Sequence, residues 1–199
     1  MRYSAEHKKR TQAKVIAAAG QVFRKEGYGG AGIDALTKAA GVTNGAFYGH
    51  FRSKSEAFRV AVLAGLEELR LGISALRAEH PQGWLKKFVN YYLGYKRTCD
   101  LGESCALPSL SADVMRTGNE TRDAYTEELQ RLITEIAAGL PDGAPGDRED
   151  TSREDRAILL LALLTGGVTL ARAVSDPALS EKIAGLVTTE ALRLGRPEA

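Results

Sequence analysis

Apolar residues recur at helical spacing along almost the whole chain, and no stretch reads convincingly as a strand. Val15, Ala18, Ala19, Val22 and Phe23 form one stripe over residues 8–26, which Gly27 closes. After a glycine-rich link, Ile33, Leu36, Thr37 and Ala40 share one face of a short second helix. Gly41 stands where that helix should stop, and glycine supplies the left-handed closing residue at least cost. Val42 is apolar in the turn, and Thr43 occupies the N-cap position of a third helix over 44–50. A long helix over 53–78 turns Phe58, Val62, Leu66, Leu69 and Ile73 inward until His80-Pro81 breaks it. The helix at 82–99 carries Trp84, Phe88, Tyr91, Tyr92 and Tyr95 at a spacing that places most of them on one face. Residues 100–103 read as a linker, 104–117 as a short helix broken by Pro108, and 121–140 as an amphipathic helix with Tyr125, Leu129, Leu132, Ile133 and Ile136 inward. A loop rich in Pro, Gly and charge, 141–151, precedes two closing helices at 152–174 and 177–195. The pattern predicts an all-α protein of about nine helices.

Two short helices joined by a tight glycine turn make either a helix-turn-helix or an ordinary hairpin in a bundle. The third helix carries Asn44, Gly45, Tyr48, Gly49 and His50, polar or small residues for which a core hairpin has no use. Arg52, Ser53 and Lys54 follow, putting cations and an N-cap where a phosphate would sit well. Charge adds to this. The net charge of +2 hides an asymmetry: residues 1–60 hold 11 Lys+Arg and 4 Asp+Glu, net +7, and the remainder is net −5. A basic end on an acidic body suits a polyanion. Lys8, Lys9, Arg10 and Lys14 lie near the start of the first helix, where cations oppose the helix dipole and need an external reason such as a phosphate backbone.

With these residues in view, the stretch GYGGAGIDALTKAAGVTNGAFYGHFRSKSEAF resembles the N-terminal domain of TetR/AcrR-type transcriptional regulators. The resemblance runs from about Thr11 to Phe58, its most specific part is A-F-Y-G-H-F-x-S-K, and a weaker likeness continues beyond. It implies a helix-turn-helix DNA-binding domain, 1–52, and a ligand-binding and dimerisation domain, 53–199. It also implies a homodimer on double-stranded palindromic operator DNA, most simply a repressor, that is released by a small-molecule effector. Residues 104–117 would floor the effector cavity, and the last two helices would pair with their symmetry mates in a four-helix bundle. Two departures stand out. Relatives usually carry Ser or Thr where Ala31 or Gly32 stands, and many carry Lys or Arg in place of Asn44. An asparagine pairs bidentately with adenine, whereas a basic residue favours guanine or phosphate, so operator preference does not transfer.

The expected DNA-binding set is Lys8, Lys9, Arg10, Thr43, Asn44, Gly45, Tyr48, His50 and Lys54. The expected effector pocket is lined by Trp84, Phe88, Tyr91, Tyr92, Tyr95, Leu107 and Met115, a composition suited to a neutral hydrophobic or aromatic molecule. The expected dimer interface uses Leu160, Leu164, Gly167, Leu179, Ile183 and Leu186. Cys99 and Cys105 bracket the expected pocket mouth, so a redox-responsive regulator is an alternative. The three histidines are dispersed and no metal-ligand spacing, phosphate loop or nucleophile motif occurs, so no cofactor, metal or enzymatic activity is expected. A helical enzyme or adaptor that binds no DNA would leave the basic end unexplained. The first thirty residues lack a continuous apolar core, and the longest uncharged run, 157–171, has fifteen residues, too few to span a bilayer. A cytoplasmic protein with reduced cysteines and no membrane partner is the expectation.

Overall fold

The computed structural model describes residues 5–142 and 152–195, with side chains from Arg10 onward; the loop expected at 141–151 lies mostly outside the described residues. Among these there are ten α-helices and no strand: α1 (Ala5–Gly30), α2 (Ile33–Ala40), α3 (Asn44–Tyr48), α4 (Lys54–Glu79), α5 (Trp84–Leu93), α6 (Tyr95–Thr98), α7 (Ala106–Val114), α8 (Asn119–Ala137), α9 (Arg153–Ala173) and α10 (Pro177–Arg193). A single 3-10 turn, Leu101–Glu103, occupies the expected linker. The chain packs as two compact units, Met1–Gly65 with Asp100–Tyr125, and Leu66–Cys99 with Thr126–Ala199. Packing therefore does not divide the chain at residues 52/53: the segment around α7 belongs with the N-terminal helices.

In the first unit, α1 changes direction at Gly27, whose φ of 70° lies in the left-handed region that glycine alone enters freely. Just past the break Tyr28 joins Phe23 and Phe58, with ring centroids 5.0–6.3 Å apart. This cluster ties α1 to the start of α4. Gly65 is small for a reason: a Cβ there would fall 2.5 Å from the Cβ of Ala106, so α4 and α7 approach closely. Pro108 does not break α7, contrary to the sequence expectation. It is the third residue of the helix, where the backbone has no intrahelical acceptor for an N–H, so proline removes nothing.

In the second unit, the helix expected at 82–99 is two helices. Gly94 has φ −89° and ψ −90°, and a side chain there would collide with the Asn90 carbonyl, so α5 ends and α6 leaves in a new direction. Two arginines fix α6. Arg172 of α9 donates to the carbonyls of Lys96, Arg97 and Cys99 at 2.8–3.0 Å, satisfying the C-terminal carbonyls that a helix leaves open. Arg97 donates to Ser180 Oγ at 2.8 Å and to the Glu181 carboxylate at 2.5 Å on α10. α9 begins with a capping box: Asp155 N–H donates to Ser152 Oγ at 3.0 Å, and Ser152 N–H to the Asp155 carboxylate at 3.1 Å. The Ser152 hydroxyl also donates to the Asp155 carboxylate at 2.6 Å, and this bond, followed by that from the Ser152 N–H, holds the carboxyl below its ordinary value of 3.8. Because the folded-state value is the lower one, the contribution of this cap is complete above that pH and fades as the pH falls through the depressed value.

α9 is 21 residues long and apolar enough to cross a membrane by length and composition, which the fifteen-residue run did not reveal. One face of it is buried within the unit: Ala157, Leu160, Leu161, Leu164, Gly167, Val168 and Ala171. The buried face packs on α10, where a Cβ at Gly167 would meet Val187 Cγ1 at 2.8 Å.

Candidate nucleic-acid interface

The turn between α2 and α3 follows from its residues. Gly41 is left-handed, with φ 65° and ψ 35°. Its N–H donates to Lys38 O at 3.2 Å, and Val42 N–H donates to Thr37 O at 3.0 Å, the double closure of a Schellman motif. Thr43 then caps α3, its hydroxyl accepting the Ala46 N–H at 3.2 Å. A helix of five residues has no stability of its own, and α3 is held by Phe47, fully buried, and Phe51, whose rings lie 5.2 Å apart. The opposite side of α3 is open: Thr43, Asn44, Gly45 and Tyr48 are all exposed, with Tyr48 at 53%. This is the geometry of a recognition helix, with an apolar anchor behind and polar or small groups in front. Ser53 caps α4 by accepting the Glu56 N–H at 3.1 Å, and the Glu56 carboxylate accepts the Arg52 N–H at 2.5 Å.

Other expected contacts are placed more variously. Arg10 is exposed on α1, while the side chains of Lys8 and Lys9 lie outside the described residues. His50 is half-buried. Lys54 is half-buried too, its ammonium 4.6 Å from the centroid of the Tyr28 ring. α2 begins at Gly32 without a side-chain cap, as the missing hydroxyl at Ala31 and Gly32 implied. Asn44 is not a free side chain. Its Oδ1 accepts the Thr37 hydroxyl at 3.1 Å and its Nδ2 donates to Asp34 Oδ1 at 3.4 Å. The sequence pattern places Thr37 only on the packed face of α2 and gives Asp34 no role; their i, i+3 spacing on α2, facing the start of α3, is the signal that points to them.

The segment around α7 grips the end of α1 within this same unit. Arg24 Nε donates to Gly102 O at 2.7 Å, and Lys25 lies 3.5 Å from the Asp100 carboxylate. Asp113 accepts the Tyr28 N–H at 2.9 Å, a donor that the Gly27 break leaves without a helical partner. Asp113→Ala should therefore cost about 1–3 kcal/mol by stranding that N–H. Thermal unfolding together with hydrogen exchange at the Tyr28 amide measures it, and unchanged exchange would show that the carboxylate is dispensable.

The sequence model described as bacterial regulatory proteins, tetR family, matches residues 15–61, the span that builds this motif. The HTH-type transcriptional repressor DhaR of Mycobacterium sp. (strain GP1) is 35% identical over 114 residues, 57% of this chain and 54% of DhaR. Over residues 15–61 the chain is therefore similar to the tetR family of bacterial regulatory proteins. The HTH-type transcriptional repressor NemR of Escherichia coli (strain K12) is 28% identical over 137 residues, 67% of this chain and 68% of NemR. The matched region thus spans about half to two-thirds of these curated relatives. In three dimensions the reduced form of E. coli NemR has a TM-score of 0.73 at 20% identity, covering 90% of this chain and 97% of that one. A TetR regulator from Chloroflexus aurantiacus J-10-FL gives 0.73 at 22%, covering 94% and 97%. These last two are likenesses of fold.

The remaining expected residues fall in two groups. In the second unit, Trp84, Phe88 and Tyr92 recur every four residues and are all buried, with Phe88 and Tyr92 centroids 5.4 Å apart. Tyr91 and Tyr95 face outward instead, 49% and 51% exposed, stacked on each other at 5.6 Å with Lys96 above both. The aromatic stripe is thus two: Tyr91 lies past the edge of the buried face of α5, and Tyr95 stands beyond the Gly94 break, on α6. Trp84 Nε1 donates to Gly139 O at 3.1 Å and lines a cleft of about 400 Å³ with Ser74, Arg77, Pro81 and Glu135. Arg77 spans that cleft to the Glu135 carboxylate at 2.5 Å. In the first unit, Leu107 is buried and Met115 is 70% exposed.

The expected interface set also divides. Leu160, Leu164 and Gly167, expected at the dimer interface, are buried within the protomer. α9 is apolar all round over residues 158–164, so periodicity could not tell its two sides apart. The open side carries Leu159, Ala162, Gly166 and Leu170, and a Cβ at Gly166 would meet nothing within 4 Å. On α10, Leu179 and Leu186 are exposed, at 43% and 63%, and Ile183 is half-buried.

Proposed function

We propose that the chain is a cytoplasmic dimeric repressor that reads a palindromic operator with α3 and leaves it when a small hydrophobic or aromatic effector binds. The observation carrying this reading is α3 itself: Asn44, Gly45 and Tyr48 project from a helix anchored by Phe47, at the basic end of the chain. Phosphate contacts from Arg10, His50 and Lys54 would set register, and base contacts from α3 would set sequence. Dimerisation through the open stripe of α9 and α10 would present two such helices to the two half-sites. The buried Trp84, Phe88 and Tyr92 support an effector site in the second unit, adjoining the Trp84 cleft rather than the outward Tyr91 and Tyr95.

Selection of randomised duplexes on the protein, followed by fluorescence anisotropy across salt concentrations, tests the DNA reading. A two-fold symmetric sequence should emerge. Lys54→Ala should weaken all duplexes alike and reduce the slope of log K against log salt by about 1. An unchanged slope would mean that the Lys54 ammonium stays on Tyr28 and holds no phosphate. For the effector, a thermal-shift screen of small metabolites should yield hits that release the selected duplex and lose affinity in Trp84→Ala.

A second reading, a thiol-responsive regulator, is favoured by the position of Cys105. This thiol is buried at the head of α7, the helix whose other end holds the Tyr28 N–H through Asp113. Nearby, Tyr125 bonds Ser111 at 2.7 Å, and burial raises its phenol above the ordinary value, keeping it neutral. Cys99 and Cys105 are both outside disulfides. Peroxide should release DNA from the wild type and from Cys99→Ser but not from Cys105→Ser; release in all three removes Cys105 from the mechanism.

A further inference from the structure

We infer that Asp34 and Thr37 are positioning residues for base readout: together they fix the Asn44 amide so that it selects adenine at one operator position. The inference rests on the DNA-binding reading and follows from counting hydrogen-bonding sites. An asparagine amide has two N–H donors and an oxygen with two acceptor sites. The Thr37 hydroxyl takes one site on Oδ1, at 3.1 Å, and Asp34 Oδ1 takes one N–H, at 3.4 Å. One donor and one acceptor are left, on an amide that heads an exposed helix. Adenine offers the matching pair in the major groove, an N7 acceptor and an N6 donor, whereas guanine offers two acceptors.

Asp34 and Thr37 also decide which way round the amide sits. Turning it over would aim Oδ1 at the Asp34 carboxylate, which has no hydrogen to give, so two acceptor oxygens would face each other, while the Thr37 hydroxyl donates to the amide oxygen only in the orientation present. An untethered asparagine presents donor and acceptor in either order and discriminates poorly. Thr37 is held in turn: it is 5% exposed, and its hydroxyl lies 3.2 Å from the Asp34 carbonyl one turn back on α2. The negative charge of Asp34, in the first turn of the helix that crosses the DNA backbone in such motifs, additionally disfavours binding that lacks base contacts.

The test uses the full-length protein, a duplex selected from a random pool on the wild type, its single base-pair substitutions, and an unselected duplex of equal length. Asn44→Ala identifies the base pair it reads, which should be A·T, by relaxing preference there roughly 5- to 150-fold. Thr37→Val and Asp34→Ala should each lower discrimination at that same pair by about an order of magnitude and leave other positions unchanged. Asp34→Asn keeps an oxygen acceptor for Nδ2 and should restore the preference, while binding the unselected duplex more tightly than the wild type. Unchanged melting of each variant excludes a folding effect. Wild-type preference retained in both Thr37→Val and Asp34→Ala, a G·C pair at the Asn44 position, or equal losses in Asp34→Asn and Asp34→Ala would each overturn the inference with DNA binding intact. If the wild type enriches no sequence, the DNA-binding reading itself falls and takes this inference with it.

Discussion

Gly166→Glu should give a folded monomer, whereas Gly167→Glu should fail to fold, although the two glycines are neighbours on one helix. At Gly166 a side chain meets nothing within 4 Å, and glycine there costs the helix several tenths of a kcal/mol relative to glutamate. The substitution therefore leaves the protomer at least as stable while placing a carboxylate in the open stripe of Leu159, Ala162 and Leu170. Across a two-fold axis that charge would meet apolar surface and its own copy, so association should be lost. At Gly167 the first carbon of any side chain lands 2.8 Å from Val187 on α10, and the carboxylate would be buried inside the unit. A charge forced into that packing costs on the order of 3–5 kcal/mol, a large part of a typical stability of about 5–15 kcal/mol. Sedimentation velocity at low protein concentration with far-ultraviolet circular dichroism separates the two outcomes. A Gly166→Glu dimer that survives dilution would move the interface off α9.

How much of this was legible in the sequence depends on how far each cause reaches. Gly41, Thr43 and Ser53 act on backbone within a few residues, and each closes or caps the helix that its chemistry suggests. The break in α1 at Gly27, where the sequence places a helix end, is likewise local, since only the backbone of that residue turns. Gly94 is not legible as a break because the apolar pattern continues across it, and the collision with the Asn90 carbonyl appears only in three dimensions. The faces of α9 were illegible for the opposite reason, since a helix apolar on all sides carries no period. For the recognition surface, the residues on α3 could be named, but their orientation is set from Asp34, ten positions earlier, through a turn that brings the two together. The grip of Asp113 on Tyr28 spans eighty-five positions and has no counterpart in any local pattern.

Phe47→Ala should abolish sequence-specific DNA binding without removing any group that could touch DNA. Phe47 is fully buried, its ring 5.2 Å from Phe51 and 5.5 Å from Tyr48, and it points to the opposite side from the exposed residues of α3. Truncating a buried phenylalanine costs about 3–5 kcal/mol, because the neighbours only partly fill the space left behind. Five residues cannot stay helical without that anchor, so Asn44 and Tyr48 would lose their common frame. Affinity for the selected duplex should fall to the level of an unselected one, a loss of roughly a thousand-fold or more, while the salt-dependent, sequence-independent part persists through the cations of α1. Tyr48→Ala provides the contrast: with 53% of the residue exposed, its loss should leave stability within about 0.5 kcal/mol and affect only affinity. Anisotropy on both duplexes and hydrogen exchange across α2 and α3 distinguish them, with rapid exchange expected only in Phe47→Ala. Specific binding that survives Phe47→Ala would mean that α3 is ordered by the DNA itself, and that the buried ring is not what holds the reading surface in place.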